Sequence, residues 1–434
     1  MISSIFTIFI CINTLLAQSK TIEKIVVDKN TMEKVIKYRR HIHQYPELSD
    51  EEVKTAAYIK EILKEYEVPF VDKIARNGIV AYIKGNNEDK VVALRADMDA
   101  LPVQEMVDLP FKSVEKSVYS NKEVYVMHSC GHDLHVAMLL GAMIELVKLK
   151  KTNKLNGSVL LLFQPAEESS FKYDLAGAEL MLKEGAFSLF KKPQAVFGIH
   201  VGSRNFKAGE NKLGRLTTIP GPAMAASPSF QIKITGRQAH GSTPWIGNDP
   251  IIIASNFIQL TQQIVSRKAN LLKSPLVITF GSIHGGIRHN IIPDVVELSG
   301  TIRTFDESIK QLTFDEMENI SKSLEKLHRA KIELTIKKGY PVTINDPGLY
   351  EKIKPFISNL EMGEKSTGAE DFSFFANAVP AIYYGLNVTP DTLPKEIPKD
   401  ANIANHSPYF IADESTMEIG VRTHLESVLG FFQL

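Results

Sequence analysis

Three short runs of consecutive apolar residues constrain the fold of this chain more than any other feature. They read VVAL from Val91, VLLLF from Val159 and AVFGI from Ala195. A strand that is covered on both faces is apolar throughout, whereas a strand with one wet face alternates apolar and polar residues. An apolar helix is predicted between the first two runs, over residues 133–149. Buried strands mixed with helices predict an α/β fold on an open sheet.

The order of the predicted elements changes after residue 226, and the α/β character returns after residue 338. This predicts two structural units. Residues 227–338 show the order β-α-β-β-α-β of a ferredoxin-like unit. The predicted elements of this unit are strand 229–235, helix 250–266, strands 276–283 and 295–303, helix 308–328 and strand 331–337. A length of 434 residues also exceeds what one hydrophobic core usually supports. We therefore predict that this unit is inserted into a discontinuous larger domain made of residues 18–226 and 339–434.

The larger domain is predicted to contain further helices and one more strand. Helical periodicity covers residues 31–44 and resumes over 50–66, where Ser49 and Glu52 have the spacing of a capping box. The elements predicted near the C-terminus are helix 347–359, strand 381–384 and helix 414–429.

Composition excludes some classes of function. Hydrophobic residues make up 44% of the chain and charged residues 23%, as in an ordinary soluble globular protein. Acidic and basic residues number 50 each. The bulk charge therefore indicates neither a nucleic acid nor an anionic membrane as partner.

The first 17 residues have the character of a signal peptide. They contain no charged side chain, and an apolar run from Ile5 to Ile12 is broken only by Thr7. This run is too short to span a bilayer, and Ala17 is an acceptable cleavage point. We expect export to the periplasm or the medium, the alternative being a buried N-terminal helix of a cytoplasmic protein. Cleavage would remove Cys11 and exclude an intramolecular disulfide.

Side chains that can bind a cation follow each of the three apolar runs. Asp97 and Asp99 follow the first run, Glu167 and Glu168 the second, and His200 the third. Ligands of open α/β sheets bind beyond the carboxyl ends of the strands, so these groups should converge in one crevice. The sequence therefore predicts a metal site at this edge.

The stretch MHSCGHDLH contributes Cys130 and His132, which are two residues apart. Thiolate and imidazole together favour a zinc-like ion, and carboxylates extend the choice towards manganese. Two alternatives remain open for Cys130. It could be a small buried apolar residue, or the nucleophile of a cysteine hydrolase.

The paired glutamates suit two separate roles. A hydrolytic metal site needs ligands and a nearby base that takes a proton from water. One of Glu167 and Glu168 could be a ligand and the other the base; the alternative is a solvated acidic pair at the start of a helix. His41 and His43 are predicted to be structural, because positions two apart on a helix diverge by roughly 200°. His135 is predicted to support a ligand rather than to be one.

Nine blocks spread over almost the whole chain carry a family resemblance. They are RRHIHQYPELSDEE, LRADMDALPVQE, MHSCGHDLH, LLFQPAEES, FGIHV, GRQAHGSTPWIGNDPI, NIIPDVVELSGTIRTF, GAEDFSFF and NHSPYF. With these blocks the chain resembles the M20 metallopeptidase family, and within it the amidohydrolase branch of hippurate hydrolases, N-acyl-amino-acid deacylases and auxin-conjugate hydrolases. The resemblance implies a zinc-peptidase-like catalytic domain with an inserted lid and dimerisation domain, which corresponds to residues 227–338.

The resemblance also implies roles for particular residues. Glu167 would be the general base. Asp99 and Asp97 would orient the ligating side chains without binding the ions themselves. Two divalent ions would be bound, zinc or manganese, with cobalt and nickel as alternatives. The implied ligands of these ions are Cys130, His132, Glu168, His200 and His406.

Three further positions in the inserted unit match the family. His240 would reach the site of the partner subunit in a homodimer and stabilise an oxyanion. Asn290 and Arg303 would bind the substrate carboxylate. The chain departs from the family pattern at residues 169–176, where a longer and bulkier segment is expected to alter the acyl pocket.

We therefore expect a metal-dependent amidohydrolase of carboxypeptidase-like type that cleaves N-acyl amino acids or small peptides. An aminopeptidase or dipeptidase on the same scaffold is the nearest alternative. A metal-bearing binding protein without catalysis is the alternative from another class.

Overall fold

The computed structural model describes residues 25–205 and 210–434, so the predicted signal peptide over residues 1–17 lies outside the described residues. Within these two ranges no helix is both long and apolar enough to cross a bilayer. The helices are α1 (Lys29–Gln44), α2 (Val53–Glu65), α3 (His132–Lys151), α4 (Gly177–Lys183), α5 (Pro250–Gln263), α6 (Glu307–His328), α7 (Pro347–Ile353), α8 (Phe372–Ala378) and α9 (Met417–Gln433). The strands are β1 (Phe70–Ile74), β2 (Gly78–Ile83), β3 (Val91–Asp97), β4 (Lys116–Tyr119), β5 (Lys122–Tyr125), β6 (Ser158–Gln164), β7 (Ala195–Gly202), β8 (Leu216–Thr218), β9 (Gly221–Met224), β10 (Ser229–Thr235), β11 (Ala239–His240), β12 (Leu276–Gly285), β13 (Ile291–Ile292), β14 (Val295–Thr304), β15 (Lys331–Lys337), β16 (Thr343–Asn345), β17 (Leu360–Met362) and β18 (Ala381–Asn387).

An eight-stranded mixed sheet forms the centre of the molecule, in the order β1-β2-β6-β3-β7-β18-β8-β17. The four strands β6, β3, β7 and β18 are parallel to one another, whereas β1 and β2 pair in antiparallel fashion at one edge. The three apolar runs of the sequence are therefore adjacent strands, and every residue of β3 and β6 is buried. This arrangement confirms the predicted α/β class.

The two faces of the sheet are covered by different helices. Val92 and Leu94 of β3 pack in a core that also contains residues of α1, α3 and α9. Val91 and Ala93, on the opposite face of the same strand, pack in a core with residues of α4 and α8. Burial on both faces is the reason why these strands are apolar without alternation.

A second sheet lies between residues 229 and 337 and has the strand order β12-β14-β10-β15. All three of its strand pairs are antiparallel. The helices α5 and α6 contact each other and cover one face of this sheet, around a separate apolar core that includes Phe230, Phe257 and Met317. Along the chain the main elements follow in the order β10, α5, β12, β14, α6, β15.

The predicted capping box at Ser49 and Glu52 is wrong. Helix α2 begins at Val53, and no side chain of its N-cap residue, Glu52, caps it. Instead the Glu47 carboxylate accepts hydrogen bonds from the backbone N–H groups of Lys54 (3.1 Å) and Thr55 (2.8 Å). Ser49 and Glu52 are buried and make long-range contacts, which a local spacing does not reveal.

The predicted helix over residues 347–359 is too long. Helix α7 ends at Ile353 and is followed by a single 3-10 turn, Lys354–Phe356. Pro355 lies inside this turn and lacks the N–H that a continuing α-helix needs. Helix α5 likewise ends at Gln263, before a π-helical turn over Ile264–Lys268.

Asp306 stabilises the start of α6, and its removal is a test of the fold. Its Oδ1 atom accepts hydrogen bonds from the N–H groups of Ser308 (2.9 Å) and Ile309 (3.0 Å), and Lys273 lies 3.0 Å from Oδ2. Burial alone would raise the pKa of Asp306, but the hydrogen bonds from Ser308 and Lys273 outweigh it and lower the pKa to about 2. Asp306→Ala should therefore lower the free energy of unfolding at pH 7 by about 1 kcal/mol, measured by urea denaturation.

The sign of the pH dependence follows from the lowered pKa. The contribution of Asp306 is fully present above the unfolded pKa of about 3.9 and is lost as the pH falls towards 2. The difference in the free energy of unfolding between the wild type and Asp306→Ala should therefore become smaller over this pH range. Asp306→Asn is the control, because it keeps the acceptor at pH 7 without titrating. Equal stability of wild type and Asp306→Ala at pH 7 would contradict the assignment.

Candidate metal centre

The parallel strands bring the acidic and histidine side chains of the sequence to one edge of the central sheet. Asp97, the last residue of β3, lies beside Gln164, the last residue of β6. Glu167 and Glu168 follow β6 within a few residues, and His200 lies near the end of β7. The predicted convergence at the carboxyl ends of these strands is therefore present in the structure.

Cys130, His132 and His200 form one group of possible metal ligands. Their ligand atoms all lie within 4.8 Å of one another, and the Cys130 Sγ atom is 3.5 Å from His200 Nε2. His132 is the first residue of α3, and the N-cap residue Gly131 separates it from Cys130 with a positive φ of 89°. A Cβ atom at Gly131 would overlap the side chain of Val201, so this tight turn between two ligands requires glycine.

Both histidines of this group present the Nε2 atom to the centre. His132 Nδ1 lies 3.1 Å from Asp99 Oδ1, and His200 Nδ1 lies 2.7 Å from the carbonyl oxygen of Val201. Because both acceptors require a proton on Nδ1, Nε2 carries the lone pair in each ring. His132 is fully buried, and its Nε2 atom has no hydrogen-bond partner. An unsatisfied buried nitrogen facing a thiol and a second imidazole fits a bound cation.

Cys130, Glu168 and His406 form a second group under the same distance limit. Glu168 Oε1 lies 3.0 Å from His406 Nε2. The neighbouring Asn405 fixes the loop that carries His406, because its Nδ2 atom donates to the carbonyl oxygens of Cys130 and Val201, both at 3.0 Å. The two groups share Cys130, so together they offer five ligands to two neighbouring cations.

The environment of Cys130 favours the form that binds metal. Burial would raise the pKa of its thiol, but the adjacent His200 and His132 imidazoles lower it well below the usual value. The thiolate is the metal-binding form of cysteine. The idle buried thiol considered from the sequence does not explain this polar surrounding.

Glu167 lies next to the two ligand groups that share Cys130 but belongs to neither of them. It is only 5% exposed, and its Oε2 atom is 3.9 Å from His132 Nε2. Burial raises its pKa well above the usual value, and the neighbouring carboxylates of Glu370, Glu168 and Asp371 raise it further. A carboxylate with a raised pKa beside a metal site is suited to accept a proton from water.

A buried ionic network behind Glu167 was missed in the sequence. Arg95 is 1% exposed, and its guanidinium group contacts the carboxylates of Asp97 (2.5 Å), Glu370 (2.8 Å) and Asp371 (2.9 Å). The only signal for it was Arg95, a basic residue that follows the apolar run VVAL within β3. Glu370 and Asp371 belong to the block GAEDFSFF, to which no role was assigned. This network compensates part of the negative charge around Glu167.

Asp97 and His135, which were predicted to support the ligands, lie beside His132, and the ligand atoms of the three residues are within 4.8 Å of one another. His135 Nδ1 lies 2.5 Å from Asp97 Oδ1, and its Nε2 atom accepts a hydrogen bond from the N–H group of Val201 (2.8 Å). Both ring nitrogens of His135 are therefore engaged, one by Asp97 and the other by Val201. His43 contacts Asp133 and Glu105, and His41 stacks on the ring of Tyr58, which agrees with structural roles.

The three candidates of the second sheet lie apart from this cluster. No hydrogen bond or ion pair within residues 25–205 and 210–434 joins His240, Asn290 or Arg303 to Cys130 or Glu167. His240 and Asn290 are neighbours, because the N–H group of Gly241 donates to the carbonyl oxygen of Asn290. His240 Nδ1 accepts a hydrogen bond from the N–H group of Ser242 (3.1 Å), so the exposed ring can donate from Nε2. Within one chain, His240, Asn290 and Arg303 therefore make none of these contacts with the metal cluster.

The bulky segment over residues 169–176 turns away from the cluster. Phe171 packs on the ring of Tyr119, Tyr173 lies over the Arg76 guanidinium, and Lys172 pairs with Glu51. Only Ser169 of this segment lines the cavity at the cluster. These large side chains dock on the β4–β5 hairpin and on residues around α2 rather than filling that cavity.

Two cavities meet at the cluster. A small one of about 130 Å³ is lined by Cys130, Glu167, Glu168 and His406, and it also contacts Tyr340 of the connection after β15. A larger one of about 1000 Å³ shares His200 and Met224 with the small one. Its size is in the range of pockets for small molecules.

Asp99 connects the two groups, which leads to a prediction for its removal. Its Oδ1 atom faces His132, while Oδ2 accepts hydrogen bonds from the N–H group of Glu168 (3.0 Å) and the hydroxyl of Ser49 (2.7 Å). Asp99→Ala should weaken metal binding about 10- to 100-fold, because such outer partners orient the ligands. Competition with a chelating dye measures this affinity, with Asp97→Asn as a comparison; an unchanged affinity would show that Asp99 does not orient a ligand.

Comparison with known proteins places the chain in a family. Residues 93–429 match the model of peptidase family M20/M25/M40. Thermostable carboxypeptidase 1 of Saccharolobus solfataricus is 36% identical over 93% of this chain and 97% of its own length. The N-acetyl-L-cysteine deacetylase of Bacillus subtilis is 36% identical over 90% of this chain and 86% of its own length. The crystal structure of the Bacillus subtilis YXEP protein, a dinuclear metal binding peptidase from family M20, superposes with a TM-score of 0.73 at 28% identity, covering 93% of this chain and 98% of that one. The chain therefore belongs to peptidase family M20 and is a hydrolase.

Proposed function

We propose that this protein hydrolyses the amide bond of N-acyl amino acids with the help of two divalent metal ions. The observation that carries this proposal is the position of Glu167, a buried carboxylate with a raised pKa beside two ligand groups that share Cys130. A protein that only binds metal has no need of such a base. The similarity to a deacetylase that acts on N-acetyl-L-cysteine supports the substrate class.

The ligands would divide between two sites. Cys130, His132 and His200 would hold one ion, and Cys130, Glu168 and His406 the other. Thiolate, imidazole and carboxylate donors suit zinc or manganese, with cobalt and nickel as alternatives. When bound, these ions would supply an acidified water and a polarised amide carbonyl.

The residues of the chain would move the proton. Glu167 would accept a proton from the attacking water and return it to the nitrogen of the leaving amine, so that the amino acid departs with a neutral amino group. The raised pKa of Glu167 makes its carboxylate a stronger proton acceptor for this exchange. The cavity of about 1000 Å³ beyond His200 has room for one of the two substrate halves.

The second sheet would act as a lid and dimerisation domain over residues 227–338. Its edge strand β12 is ten residues long, and Trp245 is 77% exposed on the loop that follows His240. An exposed edge strand can pair with another chain. In a homodimer His240 would donate a hydrogen bond to the developing oxyanion in the partner site, and Asn290 and Arg303 would bind the substrate carboxylate. Analytical ultracentrifugation tests the dimer, and a monomer at assay concentration would exclude this role of His240.

A panel of substrates tests the activity. Purified protein is stripped with a chelator, resupplied with zinc, manganese, cobalt or nickel, and assayed for amino-acid release from N-acetyl and N-benzoyl amino acids. We expect release that depends on the added metal. Absence of release with every metal and substrate would overturn the proposal and favour the metal-bearing binding protein.

Cleavage of peptides is the second candidate function. The similarity to a carboxypeptidase of Saccharolobus solfataricus favours it. Dipeptides with free and with acetylated N-termini in the same panel separate the two. Preference for the free amine would indicate an aminopeptidase or dipeptidase. Release of the C-terminal residue from the acetylated dipeptide would indicate a carboxypeptidase, and release of acetate the amidohydrolase.

We also propose export, on the basis of the uncharged apolar stretch before Ala17. Mass spectrometry of the N-terminus of the protein produced in its host tests this. A chain that begins at Gln18 supports cleavage, whereas an intact Met1 in the cytoplasm contradicts it.

A further inference from the structure

The irregular segment between α1 and α2, residues 47–52, touches both acidic strand ends of the site. The N–H group of Ala100 donates to the carbonyl oxygen of Glu47 (2.8 Å), and the Ser49 hydroxyl donates to Asp99 (2.7 Å). Glu52 reaches further, to the connection that follows β6, where its Oε1 atom accepts a hydrogen bond from the N–H group of Ala166 (2.8 Å). One short segment is thus bound to the ends of both β3 and β6.

Ala166 has an unfavourable backbone conformation directly before the two glutamates. Its φ is +52°, in the left-handed region that residues with a Cβ rarely occupy. It is 1% exposed, so water does not stabilise its N–H group. Such a conformation persists where the surroundings hold it in place, and it determines the direction in which Glu167 leaves the strand.

The Glu52 carboxylate is the group that holds this turn. Glu52 has no exposed surface, and no ion pair involves it within the described part of the chain. Besides Ala166, its oxygens accept hydrogen bonds from the N–H group of Asp50 (3.0 Å) and from the side-chain amide of Asn77 (3.0 Å). Burial and the nearby Asp99 raise its pKa to about 8. A carboxyl group in this setting serves as a hydrogen-bond acceptor rather than as a partner for a cation.

We propose that Glu52 is a positioning residue for the general base. By binding the N–H group of Ala166 it holds the left-handed turn, and the turn directs Glu167 towards the metal cluster and Glu168 into it. The inference rests on the proposed function, because it takes Glu167 as the base. It assigns a role to Glu52, the fully buried glutamate of PELSDEE, which local helix capping does not explain.

Two substitutions of Glu52 separate the effect of side-chain length from the effect of charge. Glu52→Asp keeps the carboxylate but is one methylene shorter, so it loses contact with Ala166. Glu52→Gln keeps the length and an acceptor oxygen but carries no charge. We expect kcat to fall about 100-fold in Glu52→Asp with KM unchanged, because small misplacements of catalytic groups have effects of this size. Glu52→Gln should retain most of the rate. Glu51→Gln is the matched control, since Glu51 binds Lys172 and Ser117 outside the cluster.

Rescue by glycine separates positioning from a general loss of structure. In the double variant Glu52→Asp/Ala166→Gly, the turn needs no support because glycine adopts positive φ freely. We expect kcat to recover in this double variant. The proposal is overturned if Glu52→Asp retains the wild-type rate, or if Glu52→Gln loses activity while Glu52→Asp keeps it. It is also overturned if both lose activity and Ala166→Gly restores neither.

Metal affinity provides a readout that does not depend on turnover. Because Glu168 follows the same turn, Glu52→Asp should bind zinc about tenfold more weakly in competition with a chelating dye, and Glu52→Gln should not. A wild-type protein without hydrolytic activity would contradict the proposed function, whereas the zinc affinities would still test Glu52. Equal affinities of Glu52→Asp and wild type, together with equal rates where activity exists, reject the positioning role.

Discussion

Replacing Glu167 by alanine should abolish amide hydrolysis while the metal content of the protein stays unchanged. The two ligand groups that share Cys130 do not include Glu167, so its loss removes the proton acceptor and leaves their donor sets complete. General acid–base catalysis contributes about 10²- to 10⁴-fold, which sets the expected fall in kcat. Stopped assays give kcat, and mass spectrometry of the metals gives the number of ions per chain.

Glu168→Ala is the comparison for this prediction. Glu168 lies 3.0 Å from His406 and belongs to the second ligand group, so its removal should lower the metal content. Loss of metal from Glu167→Ala together with retention by Glu168→Ala would reverse the two roles. Full activity of Glu167→Ala would exclude it as the base.

Cys130→Ala should have the largest effect on metal binding, because Cys130 is the only member common to both ligand groups among the described residues. We expect the content to fall from two ions per chain towards one or none. An unchanged stoichiometry would show that the thiol is not a ligand.

Chelation and alkylation separate this prediction from a cysteine hydrolase. Cys130 Sγ lies 3.5 Å from His200 Nε2, a distance that a nucleophile and its base could also show. A cysteine hydrolase would resist chelators and be inactivated by alkylation of the metal-free protein. A metal hydrolase would lose activity with the chelator and recover it when metal is restored.

The centre of the fold could be predicted because its strands are buried on both faces. Continuous apolar runs such as the one from Val159 to Phe163 are typical of central parallel strands, and the residues that follow them define the edge of the sheet where ligands gather. The convergence of Asp97, Asp99, Glu167, Glu168 and His200 followed from this edge. His406 could be named as a ligand only through the family resemblance. Strand β1 and the hairpin β4–β5 were missed, because no uninterrupted apolar run marks them. Strand β2 was missed although its residues 79–83 form such a run.

The contacts behind the cluster could not be predicted, because they join distant parts of the chain. Ser49 and Glu52 have the spacing of a local cap, yet their partners are Asp99 and Ala166. Nothing in the sequence within a few residues of Glu52 distinguishes a local helix cap from these long-range contacts. Arg95 was visible as a charge in an apolar strand, but its partners Glu370 and Asp371 lie about 275 residues further along the chain.

The position of His406 affects when the cluster can form during synthesis. Cys130, His132, Glu168 and His200 all precede residue 201, whereas His406 lies 206 residues beyond His200, after the second sheet. A chain that is still being translated therefore lacks one candidate ligand of the second group, and the loop held by Asn405, until the whole second sheet has been made. The residues of the first group are thus all present before the second sheet is synthesised, whereas the second group is complete only after it.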